Sequence, residues 1–199
     1  MSTLLPLQQS EKLFIAERLF NVKSSLVINW IRLLGIFVFT GIQFLNFYQY
    51  ASVTPAVHQA ITYILLFWGV ISLSLFIFHY FKISHVTFKY LVAIIDTALL
   101  SMIILSADGP RSSLIPLYLV LISLVGLYFD LKILWFTIII NTIGFLGVTY
   151  YSSRYQLPTA IEHSQIVIFV AILFMGGGVI SQIIRLFRRL ILKGDVREL

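Results

Sequence analysis

Residues 88–106 read FKYLVAIIDTALLSMIILS, and this stretch decides what kind of fold the chain can adopt. Lys89 stands near its start, and Asp96 is the one other charged residue within it. As an α-helix the stretch would be about 28 Å long, close to the ~30 Å hydrocarbon core of a bilayer. It therefore predicts a membrane-spanning helix that carries a carboxyl group inside the membrane.

The composition of the whole chain excludes a soluble globular protein. Of its 199 residues, 59% are hydrophobic and 11% are charged, and the mean hydropathy is +0.97. A soluble domain is typically ~45–50% apolar. Apolar stretches long enough to span a membrane cover residues 26–47, 60–81, 88–106, 112–129, 131–152 and 165–186. We therefore predict an all-α, polytopic membrane protein with six transmembrane helices and no soluble catalytic domain.

Two segments flank this predicted bundle of residues 26–186. Residues 1–25 mix charged and apolar side chains, which predicts a cytoplasmic amphipathic segment lying on the inner leaflet, with a frayed terminus as the alternative. Residues 187–199 are basic and predict the start of a cytoplasmic signalling helix or linker. A helix that leaves the membrane and then stops also leads us to expect a protein truncated at a linker.

The distribution of basic residues predicts the orientation of the chain. Twelve of the fourteen lysines and arginines fall on one side of the six stretches, and only Arg111 and Arg154 fall on the other. Positive charge is retained on the cytoplasmic side of membrane proteins, so both termini are predicted to be cytoplasmic. The net charge of +6 is therefore an orientation signal, and nucleic acid is not an expected partner.

Two ionisable residues stand inside predicted spans at equal depth. Arg32 in the first stretch and Asp96 in the third both lie ~9–11 Å from the cytoplasmic boundary. Because buried charges in membranes usually pair, we predict an intramembrane ion pair. The alternative is that Arg32 extends to the headgroups while Asp96 is protonated or bonded to Thr97 or Ser101.

A run of three glycines interrupts the sixth stretch at Gly176, Gly177 and Gly178. Glycine allows close approach of another helix, but it also removes side-chain packing and raises flexibility. The run therefore predicts either a packing surface or a hinge.

After the glycines in the sequence, apolar residues recur at spacings of four, three and four residues. They are Ile180, Ile184, Phe187 and Ile191, and we call this set the exit seam. The spacing is that of a heptad seam, which predicts contact between two copies of the sixth helix in a homodimer. A basic helix end lying on anionic lipid is the alternative.

The loops opposite the termini are short, and none can fold as an independent sensor domain. The loop between the third and fourth stretches contains Asp108, Gly109, Pro110 and Arg111, which predict a tight turn. We call residues 108–111 the outer turn.

Sequence signatures of catalysis and metal binding are absent from the chain. There is no cysteine, no His-Glu-x-x-His, no Gly-x-Ser-x-Gly and no Walker loop, and the four histidines are scattered over both faces of the membrane. We therefore expect no cofactor and no catalytic residue in this chain.

The third and fourth stretches carry a family resemblance. Residues 90–100 read YLVAIIDTALL and residues 106–113 read SADGPRSS. This aspartate-bearing span, the turn after it and the six-span plan with tiny outer loops resemble the membrane input region of type IV pilus sensor histidine kinases, over roughly 26–190. The family tends to have two glycines and then serines in the turn, and Asp108-Gly109-Pro110 departs from that pattern.

The resemblance implies a receptor input module in a bacterial inner membrane. Such a module would detect a membrane-embedded protein or a lipophilic ligand and pass its state through the sixth helix to a cytoplasmic kinase outside this chain. Similar six-span inputs precede class III adenylate or guanylate cyclases, which leaves the output enzyme open. A small, self-contained transporter or channel that uses Arg32 and Asp96 is the alternative from another functional class.

Overall fold

The computed structural model describes residues 5–48, 54–80, 86–155 and 161–194, with side chains for 25–48, 54–78, 87–155 and 161–189. These residues are almost entirely helical. In chain order the helices are α1 (Leu5–Tyr48), α2 (Pro55–Tyr80), α3 (Val86–Ser106), α4 (Leu117–Gly126), α5 (Leu131–Arg154) and α6 (His163–Gly194), with a 3₁₀ turn at Gly109–Arg111.

Five helices are long and apolar enough to cross a membrane, which confirms the all-α, multi-pass class. Their spanning segments are Ser25–Tyr48, Pro55–Phe78, Thr87–Ser106, Leu131–Arg154 and His163–Arg189. The predicted second and sixth stretches therefore begin a few residues earlier than expected. Pro55 suits the first position of a helix, where its missing N–H leaves no hydrogen bond unmade.

The fourth predicted span contains a shorter α-helix than expected, ten residues in place of 112–129. Pro116 is the reason at the start, because proline disfavours α geometry in the residue before it. The chain there makes i to i+3 turns, as from the Ile115 N–H to the Ser112 carbonyl at 3.2 Å. Similar turns follow Gly126, and Phe129 (φ 53°) then reverses the chain into α5.

Contacts among α3, α4 and α5 show their relative directions. Tyr90 packs on Phe136 at 4.9 Å, and higher along both helices Thr97 bonds Asn141, so α3 and α5 run parallel. Between them, α4 brings the chain back from the level of Ser101 towards the start of α3. There Lys89 lies 4.5 Å from the centre of the Tyr128 ring.

The outer helices complete an alternating arrangement. Trp30 meets Phe76 at 5.6 Å, while Phe47 stacks on His58 at 4.0 Å near the opposite end, so α1 and α2 are antiparallel. At the other side of the bundle, α6 runs antiparallel to α5, and its residue Phe187 lies beside the α4–α5 turn. Ile28 of α1 packs near the same turn, so the span of α1 starts at the end of the bundle where α6 leaves it.

The core lies between α2, α3, α4, α5 and α6. Its fully buried side chains include Tyr118, Ile122, Ile138, Phe145 and Leu173. In α3, 44% of the spanning residues are buried, against 17% in α6. The third helix is therefore the central element, and α6 lies at the edge of the bundle.

The amino-terminal segment is continuous with the first span. From Leu5, α1 runs as one helix through 44 residues, about 66 Å and twice the thickness of the hydrocarbon core. The side chains of residues 1–24 lie outside the described residues. The amphipathic character predicted for residues 1–25 thus stays a prediction.

Candidate functional site

The structure places Arg32 and Asp96 in direct contact inside the bundle. The Arg32 Nη2 atom donates to Asp96 Oδ2 at 2.7 Å, and the two side chains are only 6% and 8% exposed. The predicted ion pair is therefore confirmed, and Arg32 does not extend out of the bundle. Pairing removes two charges that would each be costly in a low-dielectric medium.

Two neighbouring side chains complete this polar centre. The indole N–H of Trp68 donates to Asp96 Oδ1 at 2.8 Å. Arg32 Nη1 donates to Asn29 Oδ1 at 2.7 Å. Both carboxylate oxygens of Asp96 thus accept a hydrogen bond from within the chain, so the centre is built to hold helices together. We call Asn29, Arg32, Trp68 and Asp96 the buried polar centre.

The buried polar centre joins three helices. Along their lengths α1 packs on α2, and α2 packs on α3, whereas in the part of the chain that the structure describes α1 and α3 do not lie along each other. Arg32 crosses that separation to reach Asp96. The ion pair therefore positions the α1–α2 hairpin against the central helix.

Trp68 was not predicted as a member of this centre, although its position in the sequence indicates an internal hydrogen bond. Tryptophan is enriched at the boundaries of membranes, where its N–H meets water or headgroups. Trp68 instead falls in the middle of a predicted span. An indole N–H at that depth needs an internal acceptor, and the structure provides one in Asp96.

Thr97 and Ser101 were the alternative hydrogen-bond partners predicted for Asp96, but they face α5 and α4 instead. Thr97 Oγ1 donates to Asn141 Oδ1 at 2.5 Å, and Asn141 Nδ2 donates to the Tyr118 carbonyl at 3.1 Å. The Ser101 hydroxyl lies 2.7 Å from the Tyr118 hydroxyl. These bonds form a second polar network that ties α3 to α4 and α5.

Aromatic packing extends this network to α6. The Phe169 ring lies 4.4 Å from Phe145 and 6.4 Å from Tyr118, measured between ring centres. Asp96 and Thr97 are consecutive residues, so α3 carries two polar networks that face different neighbours. A continuous set of contacts therefore runs from α1 through α3 to α6.

The glycine run is a packing surface at two of its three positions. A Cβ atom on Gly177 would lie 2.1 Å from Ile138 Cδ1, and one on Gly176 would lie 3.0 Å from Leu119 Cδ2. Gly178 has open space around it. The α6 helix continues without a break through all three. Close packing is thus confirmed for Gly176 and Gly177.

The exit seam does not form one outward face. Ile184 is 2% exposed and belongs to the core, and Ile180 packs against Gly126 of the same chain. Phe187 is 49% exposed and contacts the Phe129 ring. The Ile191 side chain lies outside the described residues. Since α4 occupies the face that holds Ile180 and Ile184, these two residues are not available to a second copy.

The end of α6 is attached to the α4–α5 turn. Arg188 donates to the Phe129 carbonyl at 2.5 Å. Asp130 caps α5 by accepting from the Lys132 N–H at 2.9 Å. This turn thus fixes the point at which α6 leaves the bundle.

The outer turn separates two cavities at the opposite end. Gly109 has φ 56°, a left-handed conformation that suits glycine, and the turn forms as predicted. A cavity of about 390 Å³ lies between α1, α2, α3 and the turn, with Asp108 in its wall. A second, more open cavity of about 560 Å³ lies towards α6, with Arg111 and Glu162 in its wall.

The described residues contain no cluster of three histidine or acidic side chains that could hold a metal ion. The buried polar centre offers neither a nucleophile beside a base nor a pair of carboxyl groups. Its chemistry is that of a fixed contact between helices.

No protein-family model, no curated protein and no solved structure matches this chain.

We expect the hydrogen bond between Trp68 and Asp96 to appear as a coupling in a double-mutant cycle. Trp68→Phe and Asp96→Leu, separately and together, should give a coupling of about 0.6–1.7 kcal/mol in the free energy of unfolding, the range for bonds between membrane helices. Unfolding by denaturing detergent in bicelles would measure it. The same cycle with Trp30, which is exposed and packs on Phe76, should give no coupling above ~0.5 kcal/mol. Equal couplings for both tryptophans would contradict the assignment.

Proposed function

We propose that this chain is the membrane input module of a bacterial signalling receptor of the sensor histidine kinase class. The observation that carries the proposal is the pair of polar networks on consecutive residues of α3. Asp96 holds the α1–α2 hairpin, and Thr97 holds α4 and α5, against which α6 packs. A change in the position of the hairpin has a contiguous physical route to the helix that leaves the bundle.

The length of α6 supports a role in output. Its 32 residues measure about 48 Å, well beyond the ~30 Å hydrocarbon core. The helix thus extends past the end of the bundle, where a cytoplasmic output domain would be joined. The sequence resemblance favours a kinase there, and a class III cyclase is the alternative output.

The topology we propose has six crossings, with both termini in the cytoplasm of the bacterial inner membrane. The alternating helix directions support an even number of crossings, and the basic residues support the orientation. Single cysteines can test this, because the chain has none of its own. A membrane-impermeant maleimide added to intact spheroplasts should label Ser153→Cys and not Lys132→Cys, with both labelled after lysis. Labelling of Lys132→Cys from outside would contradict the orientation.

A fusion to a kinase tests the input function directly. Residues 1–199 would be joined to a dimerisation and catalytic domain with zero to six inserted residues, so that every helical register is sampled. In at least one register, we expect Asp96→Asn to change autophosphorylation severalfold, while Glu162→Gln, at an exposed position just before α6, sets the baseline for removal of an acid. If Asp96→Asn left autophosphorylation unchanged in every register, the result would contradict the proposal.

Transport by the same chain has less support. Both oxygens of Asp96 accept hydrogen bonds from within the chain, and the residue is buried, so its carboxylate already has partners in the bundle. Flux through liposomes that contain only this chain would favour a transporter over an input module.

The homodimer is also part of the proposal. Closed two-fold symmetry is the commonest arrangement of homo-oligomers. Because Ile184 faces the core, the contact would use the outward face of α6, on which Met175, Val179 and Leu186 are more than half exposed.

A further inference from the structure

The cavity beside Asp108 has the size and lining of a small-molecule site. Its volume of about 390 Å³ falls within the ~300–1,000 Å³ of typical ligand pockets. The inner part is lined by the buried apolar side chains Ile61, Leu65 and Ile103. The outer part is lined by polar groups, which include Gln43 and Ser112. Its occupant should therefore be amphipathic.

The charge of the cavity lining indicates which head group the occupant carries. Among the described residues that line the cavity, Asp108 is the only one with a charged side chain, and the other polar groups are amides and hydroxyls. An anionic head would be repelled by the carboxylate and would find no basic partner in this wall. An ammonium head would gain both the charge of Asp108 and neutral acceptor oxygens.

The cavity floor lies next to the buried polar centre. Leu65 and Trp68 are three residues apart on α2, and Ile103 and Asp96 are seven residues apart on α3, so each pair shares one face of its helix. A ligand that reaches Leu65 and Ile103 would press on the helix faces that carry the Trp68–Asp96 bond. Occupancy thus has a direct mechanical connection to the contact that positions the α1–α2 hairpin.

We propose that this cavity binds a small lipophilic ammonium compound, with its head at Asp108 and its hydrocarbon part against Ile61, Leu65 and Ile103. This inference rests on the proposed input function, for which it names the class of ligand. The head lies at the outer end of the bundle, so the ligand would enter from outside or from the outer leaflet.

Trp68 reports on the site without any output domain. In a Trp30→Phe, Trp135→Phe variant, Trp68 is the one remaining tryptophan of the chain's three. Titration of the full chain in phosphatidylcholine nanodiscs with octylammonium should give a saturable change in its fluorescence. Octanoate and octanol should give only the linear change that follows from partitioning into lipid. Saturation by octanoate or octanol at similar concentrations would overturn the proposed class.

Substitutions at the rim test the location. Asp108→Asn should weaken octylammonium binding about fivefold, the effect of losing one exposed ion pair. Ser113→Phe, at an exposed position of the rim, should abolish saturation. Glu162→Gln is the matched control, because it removes an exposed carboxylate from the wall of the other cavity and should leave the affinity unchanged. Equal affinities for the Asp108 variant and the parent would overturn the assignment.

Two further measurements are needed. One distinguishes a lipid-derived ligand from a free one, and the other distinguishes failure of this inference from failure of the proposed input function. If the ammonium head comes from a lipid, phosphatidylethanolamine nanodiscs should compete with octylammonium and raise its apparent Kd, whereas a free ligand should show the same Kd in both lipids. Either result supports the ammonium site. Failure of binding contradicts this inference alone, because the kinase fusion tests the input function through Asp96 without any ligand.

Discussion

Replacing Asp96 with alanine is expected to lower the free energy of unfolding by about 3–5 kcal/mol, since it leaves the buried Arg32 guanidinium without its counter-ion. The same change removes the acceptor of the Trp68 N–H. Both donors would then lie in a low-dielectric interior with no group of equal strength to replace the carboxylate. Unfolding by denaturing detergent in bicelles would measure the loss.

Two control variants isolate the charge effect. Arg32→Met with Asp96→Leu removes both charges and keeps apolar volume, so most of the lost stability should return. Asp108→Ala removes an exposed acid of the same type, and its effect should stay within ~0.5 kcal/mol. A loss below ~1 kcal/mol for Asp96→Ala would show that Arg32 can reach the headgroups when released. That outcome would contradict a fixed role for the pair.

The second large effect is expected at Gly177. The methyl group added by Gly177→Ala would meet Ile138, which is fully buried. Overpacking of this kind typically costs about 1–3 kcal/mol. The gain in helix propensity, up to ~1 kcal/mol, opposes this cost without removing it. We therefore expect a net loss of stability, measured by the same unfolding assay.

Gly178 provides the matched control for the hinge hypothesis. Gly178→Ala adds the same methyl group and the same helix propensity, but into open space. If flexibility matters, Gly178→Ala should change the output of the kinase fusion while the protein assembles normally. If the run is only a packing surface, Gly177→Ala should reduce folded protein and Gly178→Ala should leave output unchanged. Equal losses of stability at the two positions would contradict the packing geometry.

Several features of this protein could be read from local sequence. Membrane helices follow from the length and hydropathy of each stretch, because the thickness of the bilayer imposes both. The Arg32–Asp96 pair could also be predicted, because depth in a membrane is a simple function of position along a helix. The tight outer turn followed from the glycine and proline within it. The helices and the turn need only one segment at a time, and the ion pair needs only a comparison of depth between two.

The extent of α4 was harder to read, since the stretch 112–129 is uniformly apolar. Pro116 marks where α geometry starts, but hydropathy cannot distinguish an α-helix from a helix extended by 3₁₀ turns. The structure resolves this through individual hydrogen bonds, such as that from the Phe129 N–H to the Gly126 carbonyl at 3.0 Å.

The face that each helix turns towards its neighbours follows from packing between helices and not from hydropathy. Ile183 and Ile184 are identical and adjacent, yet one is 48% exposed and the other 2%. Gly177 and Gly178 differ in the same way. In a soluble protein, polar residues would mark the outer face of such a helix, but lipid is as apolar as the core, so hydropathy carries no such mark here. The length and hydropathy of the stretches predict helices that can span a membrane, and residue position predicts the depth of their charges. Packing decided which side chains meet.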